Sequence, residues 1–144
     1  MKEGMTLEDL AVYIHIPFCQ SKCYYCDFLS FPNLDREIDF YMNYLLREIE
    51  IYENLLKPYN IKTIFIGGGT PSYLKPKYIY NILNSIYKKY NMNKVEEITI
   101  EANPGTLDRE KLKIYKDSGI NRISLGVQTL DDRLLKSIGR IHNS

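Results

Sequence analysis

Short apolar runs alternate with longer amphipathic segments along this chain, and its unusual local sequences fall at the downstream ends of the apolar runs. The runs cover Leu10 to Ile16, Ile61 to Ile66, Val95 to Ile100 and Arg122 to Val127, each of a length suited to a strand. Between the first two, the spacing of Ile38, Tyr41, Met42, Leu45, Ile49 and Leu56 predicts a helix from Asp35 to Lys57, which Pro58 ends. Further helices are predicted from Pro76 to Tyr90, Asp108 to Asp117 and Asp131 to Ile138. Pro is tolerated in a first turn, Asp favours a helix start, and Gly119 and Gly139 stand where helices stop. Successive βα units of this kind imply an α/β fold on a parallel sheet, either part of a barrel or a small open sheet. Ligands of such folds bind at the carboxyl ends of the strands. There the chain places CQSKCYYC, GGGTPS, EANPGT and GVQ, one after each run.

The three cysteines of the chain, Cys19, Cys23 and Cys26, all lie in the first of these loops at CxxxCxxC spacing. A structural zinc site takes four closed ligands and disulfides take pairs, so an odd trio on one loop suits neither. It suits an iron-sulfur cluster with one iron left open, since clusters are held by Cys thiolates and most electron carriers use four. His15 would have to be the fourth zinc ligand, and it belongs to the strand before the loop.

Composition narrows the context. Nineteen basic against eighteen acidic residues give a net charge of +1 with no Lys/Arg block, so nucleic acid is not an expected partner. Glu3, Glu8 and Asp9 oppose a targeting peptide, and no apolar run approaches the roughly 18 residues of a membrane span. A cytoplasmic protein with reduced thiols is expected, which favours metal ligation over crosslinks. Thirteen tyrosines carry no functional weight by themselves.

Taken together, YIHIPFCQSKCYYCDF, FIGGGTPSYL, ITIEANPGT and NRISLGVQTL followed by GRIH resemble one group of radical S-adenosylmethionine (SAM) proteins. This group contains the oxygen-independent coproporphyrinogen III dehydrogenases and the HemW-type heme chaperones. The resemblance implies a partial (βα) barrel of the radical SAM type and a [4Fe-4S] cluster whose open iron is chelated by SAM. It also implies reductive cleavage of SAM to methionine and a 5'-deoxyadenosyl radical, fed by an electron donor protein. About six βα units and a C-terminal domain are implied for the group, whereas about four units are present here. Residues 1–144 are therefore expected to be the N-terminal part of a radical SAM core domain.

The resemblance also assigns residues. Cys19, Cys23 and Cys26 become the cluster ligands, and Tyr13, on the same strand face as His15, contacts SAM beside the cluster. Tyr25 presents a ring over the cofactor. Gly68, Gly69 and Thr70, in the run opened by Gly67, lie against the amino group of SAM through backbone carbonyls. Read without the resemblance, the run is a tight turn; Ser72 breaks a GxGxxG fingerprint and no P-loop Lys follows. Glu101 is placed to accept from the ribose hydroxyls, and the bland alternative is an ion pair inside the barrel. Gln128 and Arg140 match positions that contact a second SAM in the dehydrogenases, although a cation at a helix end also simply complements the dipole. The dehydrogenases carry a further Cys two positions after the third cluster Cys. Phe28 stands there in this chain, as in the chaperone branch. A heme chaperone delivering heme to a client hemoprotein is thus expected, the alternative being oxidative decarboxylation of a porphyrinogen.

Overall fold

The computed structural model describes residues 7–144. Its central sheet contains β1 (Glu8–Ile16), β4 (Tyr59–Gly68), β5 (Glu97–Ala102) and β6 (Arg122–Leu125) in that spatial order, every pair parallel. Strands adjacent in sequence are adjacent in space, so the sheet winds in one direction, as the wall of a barrel does. Two further strands, β2 (Phe18–Cys19) and β3 (Phe31–Pro32), pair with each other and clamp the base of the cysteine loop.

Alternation along the strands sorts the side chains onto two faces. Ile14, Ile16, Ile64, Ile66, Ile98 and Ile100 are buried toward the helices. There they meet α3 (Pro76–Lys89), whose Ile79, Ile82, Leu83 and Ile86 follow helical spacing and are all buried. Met42 and Ile49 of α1 (Ile38–Ile51) and Tyr115 of α4 (Arg109–Asp117) complete this core. Burying each such side chain contributes about 1.5–3 kcal/mol, so this face supplies most of the driving force for folding. The other face carries Tyr13, His15, Phe65, Gly67, Thr99 and Glu101; the Tyr13 and Phe65 rings stack with centroids 6.1 Å apart.

The helix expected as one unit from Asp35 to Lys57 is three pieces: a 3-10 turn at Asp35–Glu37, α1, and the short α2 (Glu53–Leu56) after Tyr52. The helix starts at Asp108 and Asp131 behave as expected. Asp108 caps α4 by accepting from the Lys111 amide, and Asp131 caps α5 (Asp132–Ser137) by accepting from Arg133 and Leu134. Gly119 and Gly139 hold positive φ just beyond the ends of these helices.

Candidate functional site

Each loop at the carboxyl end of the sheet contributes to one open cavity of about 250 Å³. Its lining includes all three cysteines, Tyr25 and Phe28 from the first loop, Gly68, Gly69 and Thr70 from the second, Glu101 and Asn103 from the third, and Gln128 and Arg140 from the fourth and beyond. Among the residues that the resemblance assigns to the cluster or to SAM, Tyr13 alone lies outside this lining. Its hydroxyl meets His15 Nδ1 at 3.0 Å, and burial followed by the charge of Glu101 raises its pKa.

The cysteine loop is held from several sides. Cys19 ends β2 and is buried, and the Cys26 amide donates to the Cys23 carbonyl at 3.1 Å, closing a tight turn. His15 Nε2 donates to the Leu29 carbonyl at 2.8 Å, which leaves Nδ1 to accept from Tyr13. Both ring nitrogens are therefore engaged, and His15 serves as a brace between strand and loop. Lys22 folds back inside the loop, its Nζ donating to the Phe28 carbonyl at 2.6 Å and to Ser30 Oγ at 3.2 Å. At the far end, the Tyr24 amide donates to the Ile138 carbonyl at 3.1 Å, fastening the loop to the end of α5.

The glycine run owes its composition first to the protein's own packing. A Cβ on Gly68, where φ is +114°, would stand 2.6 Å from the His15 ring. One on Gly69 would stand 2.6 Å from the Phe18 carbonyl oxygen and 2.9 Å from Cys19 Sγ. The amides of Gly69 and Thr70 donate to the Ile16 and Phe18 carbonyls, both at 2.8 Å. Strand end and cysteine loop are thereby in direct backbone contact. Glu101 is anchored too, its Oε2 accepting from the Gly68 amide at 3.0 Å.

Arg140 does not serve as a simple helix-end cation. Its guanidinium turns into the cavity and donates to Cys23 Sγ at 3.4 Å, to Asn103 Oδ1 at 2.8 Å and to the Gly126 carbonyl. Tyr25 shares this environment; burial raises its pKa, with Arg140 opposing and Cys23 reinforcing the shift. Gln128 lies three residues past the end of β6 with φ at +65°, so it belongs to a turn and not to the strand.

Sequence reading overlooked Asn103, Ser72, Thr106 and Lys111. Ser72 Oγ bonds Thr106 Oγ1 at 2.5 Å, and Lys111 Nζ donates to the carbonyls of Ser72 and Thr106 at 2.7 and 2.9 Å. Burial lowers the Lys111 pKa. Asn103, Ser72 and Thr106 all stood inside motifs already notable, EANPGT and GGGTPS. The available signal was a polar residue in a strand-end loop, directly past β5 in the case of Asn103.

The donor set suits a cluster. All three cysteines are unpaired, and two accept hydrogen bonds, Cys19 from Thr70 Oγ1 and Cys23 from Arg140. A single ion needs its ligands gathered at one point, and among the described residues no three His, Cys, Asp or Glu are so gathered. A cluster holds each cysteine through a different iron and makes no such demand.

A parallel βα wall with unpaired thiols on its first loop, and a glycine turn, a carboxylate and an arginine on the next strand ends, defines a cofactor-binding α/β protein of partial-barrel type. The Radical SAM superfamily matches residues 13–144, and the chain belongs to that superfamily. Membership implies a [4Fe-4S] cluster and SAM as the cofactors general to the family. Among its relatives, the heme chaperone HemW of Buchnera aphidicola subsp. Acyrthosiphon pisum (strain APS) is 50% identical over 142 residues, 96% of this chain and 37% of the relative. The heme chaperone HemW of Lactococcus lactis subsp. lactis (strain IL1403) is 45% identical over 132 residues, 92% of this chain and 34% of that one. The chain thus spans little more than a third of these curated relatives. The solved coproporphyrinogen III oxidase (HemN) from Escherichia coli, a radical SAM enzyme, superposes with TM-score 0.86 at 27% identity, over 96% of this chain and 32% of that one. Among the described residues, no helix is long and apolar enough to cross a membrane.

Proposed function

We propose that this chain is the N-terminal part of the radical SAM core of a cytoplasmic heme chaperone, which binds heme and passes it to client hemoproteins. The observation that carries this reading is Phe28. It borders the cavity two positions after Cys26, where the porphyrinogen dehydrogenases resembled by this chain have another thiol. The names of the relatives at 45 to 50% identity agree.

Cys19, Cys23 and Cys26 would hold three irons of the cluster. Glu101, fixed by the Gly68 amide, would offer its free oxygen to the ribose hydroxyls of SAM, and the carbonyls of the glycine run would accept from its ammonium. Tyr25 and Tyr13 would flank the cofactor, with Gln128 and Arg140 on the far wall. Bound together, the cluster and SAM supply one-electron reductive cleavage of the sulfonium, with the electron coming from a donor protein. The protein residues bind, orient and shield.

The second reading is oxidative decarboxylation of coproporphyrinogen III, favoured by the structural likeness to the Escherichia coli oxidase. One experiment separates the two. The full-length protein, reconstituted anaerobically, is expected to bind heme stoichiometrically and to leave coproporphyrinogen III unchanged in the presence of SAM and reductant. Formation of protoporphyrinogen would overturn the chaperone assignment.

A further inference from the structure

A chain of hydrogen bonds crosses the cavity wall from one cysteine to another, and Asn103 is its centre. Asn103 stands one residue past β5. Its Nδ2 donates to Thr70 Oγ1 at 3.0 Å, and Thr70 Oγ1 donates to Cys19 Sγ at 3.6 Å. Its Oδ1 accepts from Arg140 Nη2 at 2.8 Å, and Arg140 Nη1 donates to Cys23 Sγ at 3.4 Å. Arginine has no acceptor, so Oδ1 must face it and the amide cannot be turned over. Nδ2 then necessarily points at Thr70. A hydroxyl that accepts from an amide keeps its one hydrogen for another acceptor, and here that acceptor is the Cys19 sulfur. The main chain is fixed as well: the Asn103 amide donates to Ser72 Oγ at 3.3 Å, and its carbonyl accepts from Thr106 Oγ1 at 2.6 Å. Among the described residues no side chain donates to Cys26 Sγ in the same way.

We propose that Asn103 is a positioning residue that raises the reduction potential of the cluster by holding one hydrogen-bond donor on each of two cysteine sulfurs. This rests on the cluster reading above. Reduction adds negative charge that spreads onto the thiolates, and a donor on sulfur stabilises the reduced state more than the oxidised one. Asn is suited to the position because it presents a donor to Thr70 and an acceptor to Arg140. Aspartate, nearly isosteric, would offer acceptors on both sides. The Thr70 hydrogen would then turn to the carboxylate and leave Cys19.

That reversal supplies the test. Four reconstituted proteins, wild type, Thr70→Val, Asn103→Asp and the double variant, are titrated electrochemically without SAM while the reduced cluster is followed by electron paramagnetic resonance. In the wild-type background Thr70→Val is expected to weaken reduction about tenfold, or about 59 mV for one electron. In the Asn103→Asp background the same change is expected to do almost nothing, because that hydroxyl no longer serves Cys19. The charge of the new carboxylate is common to both members of the second pair and cancels in the comparison. Equal shifts in the two backgrounds, or no shift in the first, would overturn the inference. Loss of the cluster from either single variant would do the same, since Asn103 and Thr70 are assigned here to tuning and not to holding iron. Iron and sulfide missing from the wild type would instead sink the cluster reading itself.

Discussion

Replacing Gly69 by Ala tests whether the glycine run is shaped by the protein's own packing. The added Cβ would lie 2.6 Å from the Phe18 carbonyl oxygen, 2.9 Å from Cys19 Sγ and 3.0 Å from the Ile16 carbonyl oxygen, all inside the 3.4 Å at which ordinary contact begins. A flexible side chain could retreat, but two of these three atoms are backbone. The Ile16 and Phe18 carbonyls already accept from the Gly69 and Thr70 amides, so moving them costs bonds worth about 0.5–1.5 kcal/mol each. Overpacking in a tight site costs about 1–3 kcal/mol, and the engaged carbonyls place this substitution at the upper end, about 3 kcal/mol. With a urea dependence of about 2 kcal/mol per molar, the unfolding midpoint should fall by about 1.5 M. Iron uptake should drop in parallel, because the Cys19 sulfur is one of the atoms displaced. Gly105→Ala is the control: φ is +82° there and no atom lies within 4 Å of the added Cβ. Its cost is conformational only, about 1–2 kcal/mol, with normal iron uptake. If anaerobic urea titration finds Gly69→Ala no more destabilised than Gly105→Ala, and the iron content equal, the packing argument fails.

Cys23→Ala should abolish the cluster, reducing iron from about four atoms per chain to a trace in colorimetric iron and sulfide assays; undiminished iron would remove Cys23 from the ligand set. Tyr115→Phe should stabilise the fold by about 1 kcal/mol, because the Tyr115 hydroxyl is buried without a hydrogen-bond partner among the described residues. Burial, with a smaller contribution from Asp108, pushes the Tyr115 pKa up to about 12, so the folded state favours the neutral phenol. Stability tied to that phenol is intact below the unfolded value of about 10 and is lost as pH rises toward 12. The advantage of Phe should therefore widen between pH 9 and pH 11 in denaturant titrations, and a Phe variant weaker than wild type at both would contradict the argument.

Strands and caps were legible in the sequence because they follow from local chemistry. Ile64 and Ile66 must face a core, and Asp108 and Asp131 cap the helices that follow them. The break at Tyr52 was hidden because the apolar periodicity runs through it, and periodicity reports which face is buried and not whether the helix continues. The β2–β3 pairing is two residues long on each side, below the length at which a strand pattern exists. The cysteines and Glu101 stand out as candidates in the sequence because their side chains are chemically distinctive at strand ends. Arg140 is a candidate in the sequence, but its hydrogen bond to Cys23 spans 117 residues, and no local rule anticipates such a contact. Asn103 escaped for a related reason. An amide matters through what it connects, and its two partners come from different loops.

The tether between the two ends of the site has a consequence for biosynthesis. Cys19, Cys23 and Cys26 leave the ribosome early, whereas Ile138 and Arg140, which close over that loop, leave near the end of this segment. At about 5–20 residues per second, the 117 residues separating Cys23 from Arg140 take on the order of ten seconds to synthesise. Throughout that interval the thiols are held on one side only. The nascent chain therefore carries the cysteine loop well before the Tyr24–Ile138 and Cys23–Arg140 contacts that fasten it can form.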